Sequence, residues 1–362
     1  MGRMPKSARF IAAVIVVALT AMVLVGLQLG CGSTSEATSV GGPTGSPVTT
    51  AGNGSSKGKL YVAVTGTADL QAGSGDMGMA IIDLATKQVE MVNIPEAKAP
   101  HGIIFPTDTK TAPNTRGRVA LEQPSSIYLG NAQDGSVLVV DLSTNKVTKS
   151  IMPPPDAKLA ICAMQVGPDG RIYLASMADG KVYPFQNDTI MSPGIGGAGA
   201  TTSICGIAWS ADGQFVYLSN MFNPQDPNEC GYIAKLNWPS GTPVNKIQNV
   251  TNSSPSGGYM AREIEVTPDG KYMYLADGAD SSLVKIDMAT ETVIKRIPIG
   301  GEPHSIVFSS DGRTAYISVS HQPVEDGSSI FVYDVAKDQV IDRIPGIPAP
   351  LVGGLVLQES AS

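Results

Sequence analysis

The sequence predicts an all-β fold, a β-propeller of four-stranded blades. Three observations support this prediction: a repeated four-strand pattern, recurrent tyrosines and recurrent Asp-Gly turns. Residues 261–346 contain two consecutive copies of the pattern, each with four short runs rich in β-branched and aromatic residues. Such runs, separated by turn signals, are typical of a four-stranded antiparallel meander. One meander cannot bury both of its faces, so several copies must pack side by side.

The tyrosines show how many copies the chain holds. In each copy a Tyr, an aliphatic residue and usually a small residue mark the second strand. These tyrosines are Tyr61, Tyr128, Tyr173, Tyr217, Tyr274 and Tyr316. Insertions account for the widest gaps between them, and the other spacings fit the period of roughly 40 to 50 residues of four-stranded propeller blades. The Asp-Gly turns at 169, 212, 269 and 311 keep the same phase. The sequence therefore predicts six blades.

The tyrosine strands resemble those of the YVTN family of β-propellers, which is named for a Tyr-Val-Thr-Asn strand. The motif stands here as Tyr-Val-Ala-Val from Tyr61, Tyr-Leu-Gly-Asn from Tyr128 and Tyr-Leu-Ser-Asn from Tyr217. The resemblance covers about residues 58–357. It implies a propeller, with seven blades as the alternative count because family members usually have seven. It implies little about activity, since this architecture hosts many functions.

The two ends of the propeller are expected to pair with each other. The first tyrosine strand, residues 60–64, has no innermost strand before it, and residues 350–358 have strand character with nothing after them. Pairing of these segments would complete the first blade and remove the free sheet edges that invite aggregation. The propeller is thus predicted over residues 60–358, and we expect a monomer.

Residues 1–31 have the features of an export signal. Arg3, Lys6 and Arg9 precede an apolar run over residues 10–30. The run ends at Cys31 in a segment that resembles a bacterial lipobox, although Gln28 departs from it, so lipidation of Cys31 is predicted. The alternative is an uncleaved membrane anchor, because a span of ~20 apolar residues crosses a bilayer. Both interpretations place the rest of the chain on the extracytoplasmic side of the cell envelope, in the periplasm or at the cell surface.

Residues 32–59 are rich in Gly, Ser and Thr and predict a flexible linker that tethers the propeller to the membrane. The whole chain carries a formal net charge of −7, and three of its basic residues precede Cys31. This acidic balance argues against nucleic acid as a partner.

Superposition of the repeats on their Asp-Gly turns reveals one chemically distinctive position, seven residues before each Asp. Its members are Cys162, Cys205, Arg262 and His304, and His101 joins them because Pro-His-Gly-Ile-Ile-Phe matches Pro-His-Ser-Ile-Val-Phe. Because blades are related by rotation, these residues should lie on one circle at the mouth of the central channel. His321 and Cys230 are predicted on loops of the same face.

This circle has three interpretations. In the first, the histidines pack neighbouring blades and Cys162 forms a disulfide with Cys205, as an oxidising compartment permits. A bridge between Cys205 and Cys230 is the rival pairing.

In the second interpretation His101, Cys162, Cys205 and His304 hold a soft metal, zinc or copper. A disulfide between the two cysteines excludes this thiolate site. In the third, the circle binds a small molecule or peptide or is catalytic, with His101 or His304 as general base and Arg262 holding an anion.

The functional expectation is a membrane-tethered binding module for an unknown protein, peptide or small molecule, without a cofactor. The alternative is an enzyme or a redox or metal accessory protein that uses the His, Cys and Arg circle. The resemblance suggests this alternative, since propellers of this type are thought to include lactonases and domains that serve haem or quinone dehydrogenases.

Overall fold

A computed structural model describes residues 58–66, 77–106, 119–120, 124–197, 200–221, 231–251, 261–320, 327–349 and 351–360. Within these residues the chain forms 26 β-strands and no helix. Accordingly, no helix capable of spanning a membrane occurs among them. The predicted signal segment, Cys31 included, and residues 32–57 of the predicted linker lie outside the described residues. Gly58 and Lys59, predicted as the end of the linker, belong instead to the first strand.

The first thirteen strands are β1 (Gly58–Gly66), β2 (Gly78–Asp83), β3 (Val89–Asn93), β4 (Pro100–Ile104), β5 (Val119–Ala120), β6 (Ser126–Asn131), β7 (Val137–Asp141), β8 (Lys146–Ile151), β9 (Ile161–Val166), β10 (Ile172–Ser176), β11 (Lys181–Gln186), β12 (Thr189–Ile190) and β13 (Ile195–Gly196). The remaining strands are β14 (Ile204–Trp209), β15 (Phe215–Asn220), β16 (Tyr232–Asn237), β17 (Pro243–Ile247), β18 (Ala261–Val266), β19 (Tyr272–Asp277), β20 (Ser282–Asp287), β21 (Thr292–Pro298), β22 (Glu302–Phe308), β23 (Thr314–Ser320), β24 (Ser328–Asp334), β25 (Gln339–Ile347) and β26 (Leu351–Glu359).

These strands form six antiparallel sheets, the six blades of a propeller. Blade 1 has the order β26-β1-β2-β3 from the channel outward, and blade 2 has the order β4-β6-β7-β8. Blades 3 to 6 use β9 to β12, β14 to β17, β18 to β21 and β22 to β25, while β13 also pairs with β11. The predicted all-β class and the count of six blades are confirmed, and the seven-bladed alternative is not realised.

The predicted closure is also confirmed. Strand β26 pairs antiparallel with β1 over nearly the whole length of both, with Tyr61 opposite Val356. The short β5 adds to the free side of β26 in parallel. The chain's last described strand is therefore the innermost strand of the first blade, and the ring is joined by hydrogen bonds between its two ends.

Apolar packing holds adjacent blades together. Six clusters of buried hydrophobic side chains are present among the described residues, and each cluster combines residues of two neighbouring blades. The blade tyrosines pack in or against these clusters. Five of them are almost fully buried, and Tyr128 is partly buried. Burial of such large side chains between blades, and not within one blade, makes each blade depend on its neighbours.

At three junctions the blade tyrosine also donates a hydrogen bond to a carboxylate of the next blade. Tyr128 bonds Asp188, Tyr217 bonds Glu291 and Tyr274 bonds Asp338, at 3.0, 2.9 and 3.1 Å. Each carboxylate residue has a positive φ in the turn between the third and fourth strands. A lysine completes each group, as Lys285 Nζ does by donating to Asp338 at 3.0 Å. The repeated tyrosine therefore fixes one blade to the next.

Candidate functional site

The inner strands bring the predicted circle together at one end of the channel, which we call the mouth face. The opposite end, with the Asp-Gly turns, is the turn face. In every blade the second-strand tyrosine pairs with the same position of the innermost strand, and this pairing fixes the register between the two strands. Tyr316, for example, lies opposite Val307, three residues beyond His304. The same offset in blade 1, where Tyr61 lies opposite Val356, assigns the sixth position of the circle to Gly353.

Gly353 has a steric reason to be glycine. A Cβ at this position would lie 2.6 Å from the carbonyl oxygen of His101 and 2.8 Å from its Cα. The backbone of His101 thus approaches the closing strand too closely for any side chain. The sequence alone did not assign this position, because no Asp-Gly turn follows β26.

Cys162 and Cys205 are joined by a disulfide that links the inner strands of blades 3 and 4. Their Cα atoms are 4.9 Å apart, and both side chains are fully buried. In this oxidised form the sulfurs bond each other and offer no thiolate to a metal. The donor atoms of Cys162, Cys205 and His304 nevertheless lie within 4.8 Å of one another.

The two predicted histidines are neighbours across the mouth. The ring centroids of His101 and His304 are 5.3 Å apart, with the planes tilted by 57°. His304 is buried, whereas His101 is partly exposed. Nδ1 of His101 lies 3.2 Å from the backbone carbonyl of Ala99, so Nδ1 carries the proton and donates it there.

His101 is a neutral imidazole at physiological pH. Although part of the residue is exposed, the protein removes most water from around the ring. This desolvation lowers the pKa of His101 to about 4 and outweighs the hydrogen bond to Ala99, which acts in the opposite direction. The positive charge of Arg262 adds to the effect of burial. A neutral imidazole with its proton on Nδ1 presents the Nε2 lone pair, which can accept a proton or bind a metal.

Arg262 forms an ion pair with Glu302 of the next blade, and both side chains are largely buried. The carboxylate neutralises the charge with which Arg262 was predicted to hold an anion. Glu302 comes directly before the Pro-His pair of blade 6, and the sequence comparison missed it because blade 2 has Ala99 at the matching position.

A second polar layer lies one residue deeper in the channel. Glu263 is buried, and its Oε2 accepts a hydrogen bond of 2.6 Å from the hydroxyl of Ser305. Its Oε1 lies 3.1 Å from the position that a Cβ of Gly354 would take. The carboxylate of blade 5 therefore extends past blade 6 toward blade 1, below the circle of His101 and His304.

The turn face has a separate cavity of about 260 Å³ between blades 3, 4 and 5. Its lining includes Gln165, Trp209, Asp212 and Glu265. The amide of Gln165 donates to Glu265 at 3.0 Å across the channel, and both side chains are buried. None of the predicted site residues lines this cavity.

Two predicted members of the mouth face are not placed by the structure. His321 and Cys230 lie outside the described residues. The rival pairing of Cys205 with Cys230 is not formed in the structure, because Cys205 is bonded to Cys162. The structure therefore brings together His101, His304, Cys162, Cys205 and Arg262, and it adds Glu302, Glu263 and Gly353.

Comparison with known proteins identifies the architecture. No protein-family model matches the chain, and no curated protein matches its sequence. A solved structure titled as the nidogen/laminin complex is similar over 84% of this chain and 99% of that chain, with 13% identity and a TM-score of 0.59. A hydrazine synthase chain of Kuenenia stuttgartiensis aligns over 70% of this chain and 67% of that chain, with 19% identity and a TM-score of 0.45. The first of these likenesses and the six sheets together define the class: the protein is a six-bladed β-propeller.

Proposed function

We propose that the protein is a membrane-tethered extracytoplasmic propeller of the YVTN type that acts as a binding module, with the mouth face as its recognition surface. The observation that carries this proposal is the clustering of ionisable and sulfur side chains at one end of the channel. His101, His304, the Arg262–Glu302 pair and the disulfide all lie there. The turn face also carries charged groups, but these are the Asp-Gly turns and the tyrosine–carboxylate–lysine groups that join neighbouring blades.

The tether is supported by the N-terminal sequence. A basic start, an apolar run over residues 10–30 and Cys31 precede a linker of 26 residues, 32–57, which ends where the first strand begins. A flexible linker of this length allows the propeller to turn and to reach partners above the membrane. Lipidation of Cys31 is the form of attachment that we propose.

A binding role agrees with how the fold is used elsewhere. The similar propeller noted above belongs to the nidogen/laminin complex, in which one protein binds another. Side chains at the channel mouth of a closed ring are rigidly held, because each inner strand is hydrogen-bonded in its blade. Rigid placement of polar side chains lowers the entropic cost of binding.

Site-specific photo-crosslinking in intact cells tests the recognition surface. A photoreactive residue would replace Gln133 or Met221, which border the mouth face, and Lys271 or Arg313 on the turn face as matched controls. The expected result is a discrete adduct from the mouth-face positions and none from the controls. Adducts that are equal on both faces, or that form on the turn face alone, would contradict the proposal.

The second candidate function is a redox or metal accessory protein. One observation favours it: the donor atoms of Cys162, Cys205 and His304 lie within 4.8 Å, and the ring of His101 is next to that of His304. Purified protein that carries a stoichiometric metal ion would support this candidate over a simple binding module.

A further inference from the structure

The sulfur and imidazole side chains at the mouth come from four different blades. The donor atoms of three of them lie within 4.8 Å of one another, and the ring of the fourth, His101, neighbours that of His304. Cys162 belongs to blade 3, Cys205 to blade 4, His304 to blade 6 and His101 to blade 2. We infer that in the dithiol form of the protein these side chains bind one d¹⁰ metal ion, Zn²⁺ or Cu⁺. The disulfide and the metal complex are thus alternative states of the same site. This inference requires neither the membrane tether nor a recognised partner.

The spacing of three donors fits a tetrahedral site. With metal–sulfur bonds of about 2.3 Å and metal–nitrogen bonds of about 2.0 Å, neighbouring donor atoms lie roughly 3.3 to 3.8 Å apart. The donors of Cys162, Cys205 and His304 already lie within 4.8 Å of one another. With Cα atoms 4.9 Å apart, the two sulfurs reach tetrahedral spacing by separating by about 2 Å through side-chain rotation.

His101 supplies the fourth donor in a prepared orientation. Its Nδ1–H donates to the carbonyl of Ala99 at 3.2 Å, so the lone pair is on Nε2. This arrangement is the usual outer-shell contact of metal-binding histidines, in which a backbone carbonyl fixes the tautomer and the ring orientation. Its ring centroid lies 5.3 Å from that of His304, outside the group of three donors, so the His101 ring must move toward the sulfurs to complete the site.

The charges around the site balance. Two thiolates neutralise one Zn²⁺, and the imidazoles are neutral ligands. Arg262, the nearby cation, is paired with Glu302, and this carboxylate reduces the repulsion between Arg262 and the metal. Because Cys162, Cys205 and His304 are buried, the site has the closed character of structural zinc sites.

The metal complex and the disulfide form from the same two thiols by different reactions. When Zn²⁺ binds, two metal–sulfur bonds form and the two thiols release two protons. When the disulfide forms, the two thiols give two electrons and two protons to a disulfide-exchange partner, whose own disulfide becomes two thiols. A chain exported with reduced thiols can follow either route, and the first reaction excludes the second.

Cobalt substitution tests this inference on the full-length chain in detergent. The protein would be reduced with a phosphine, and the phosphine would then be removed under anaerobic conditions. The reduced protein would be titrated with Co²⁺ and then with Zn²⁺. One Co²⁺ per chain should bind with a sulfur-to-cobalt charge-transfer band, and Zn²⁺ should remove the band. The same protein with its disulfide intact should show no band.

Variants separate this site from other thiols. Cys162→Ser/Cys205→Ser retains Cys31 and Cys230 and should lose the band, whereas Cys230→Ser should keep it. His304→Ala should weaken Zn²⁺ binding by more than the roughly 10- to 100-fold cost of an outer-shell change. Reduced, folded protein without the band would overturn the inference, as would a band that persists in the double serine variant. Reduced protein that unfolds and is not refolded by Zn²⁺ would overturn it equally.

Discussion

The junction between blades 3 and 4 is held by different interactions from the junctions between blades 4 and 5 and between blades 5 and 6. At the latter two junctions Tyr217 and Tyr274 donate to carboxylates of the next blade near the turn face. At the junction of blades 3 and 4, Tyr173 instead bonds Asp169 of its own blade at 2.7 Å and packs edge-on against Trp238 at 4.8 Å. The covalent link of this junction lies at the mouth face.

The difference shows where each junction gains its stability. The regular junctions combine an apolar cluster with a charged group near the turn face, where Asp338 accepts hydrogen bonds from two tyrosines and two lysines. The junction of blades 3 and 4 combines an aromatic cluster with a disulfide. It is the junction that has both the cavity of the turn face and the sulfur atoms of the candidate site.

Breaking the ring itself should have the largest effect. Deletion of residues 350–362 removes β26 and leaves β1 without its inner partner and the apolar clusters of blades 1, 2 and 6 exposed. We expect cooperative unfolding or insolubility, measured by thermal denaturation. Deletion of residues 361–362 alone is the matched control and should leave the melting temperature unchanged. A folded protein without β26 would show that closure is not needed.

Removing the disulfide should have the second-largest effect on stability. The cysteines are 43 residues apart in the chain, and the chain-entropy model assigns about 4 kcal/mol to a loop of this size, often less in practice. Cys162→Ala/Cys205→Ala should therefore lower the free energy of unfolding by up to that amount, as measured by urea denaturation. An unchanged midpoint would indicate that the junction of blades 3 and 4 does not rely on its covalent link.

Asp338→Asn should cost about 2 to 3 kcal/mol at neutral pH, because hydrogen bonds to a buried charge are lost. Burial tends to raise the pKa of Asp338, but hydrogen bonds from Lys285, Lys295 and Tyr333 outweigh it and lower the pKa. The contribution of Asp338 to the free energy of unfolding is therefore complete above its pKa in the unfolded chain, about 4. It is lost as the pH falls through its lower pKa in the folded protein.

The free energy of unfolding of the Asp338→Asn variant should consequently fall less steeply with decreasing pH than that of the wild type. Urea midpoints measured from pH 7 downward provide the comparison. Equal acid slopes in the two proteins would mean that another carboxylate dominates the acid limb.

The tyrosine hydroxyls should have the smallest effects, and they should differ between junctions. Tyr274→Phe removes a bond to Asp338, whose side chain is 15% exposed, and should cost about 1.5 kcal/mol. Tyr173→Phe removes a bond to Asp169, which is 38% exposed and can exchange the lost donor for water, so about half that cost is expected. Equal costs in urea denaturation would argue that the two junctions are equivalent.

The fold was predictable because its signals repeat. The tyrosines and the Asp-Gly turns recur in phase, and each pairs within its own blade in the same register. The orphan first and last segments also predicted the closure, since each had a single possible partner.

The missed parts of the site do not repeat. Glu302 and Glu263 each interact with a residue from another blade, and no other copy has a glutamate at the matching position. Glu291 and Asp338 occur at turn positions with positive φ, where a sequence pattern indicates only a turn. One signal was available: Glu263 and Glu265 alternate with Ile264 and Val266 in an inner strand, where charged residues are unusual and point to buried polar contacts.

A disulfide at the mouth face joins blades 3 and 4. Peptide mapping of the protein isolated from the envelope in air, without reductant, tests this covalent link most directly. Free thiols would be alkylated before digestion, and cross-linked peptides identified by mass spectrometry. The structure predicts a cross-link between Cys162 and Cys205, with Cys230 recovered outside it. A cross-link between Cys205 and Cys230, or alkylation of all three cysteines, would contradict covalent closure of blades 3 and 4 at the mouth.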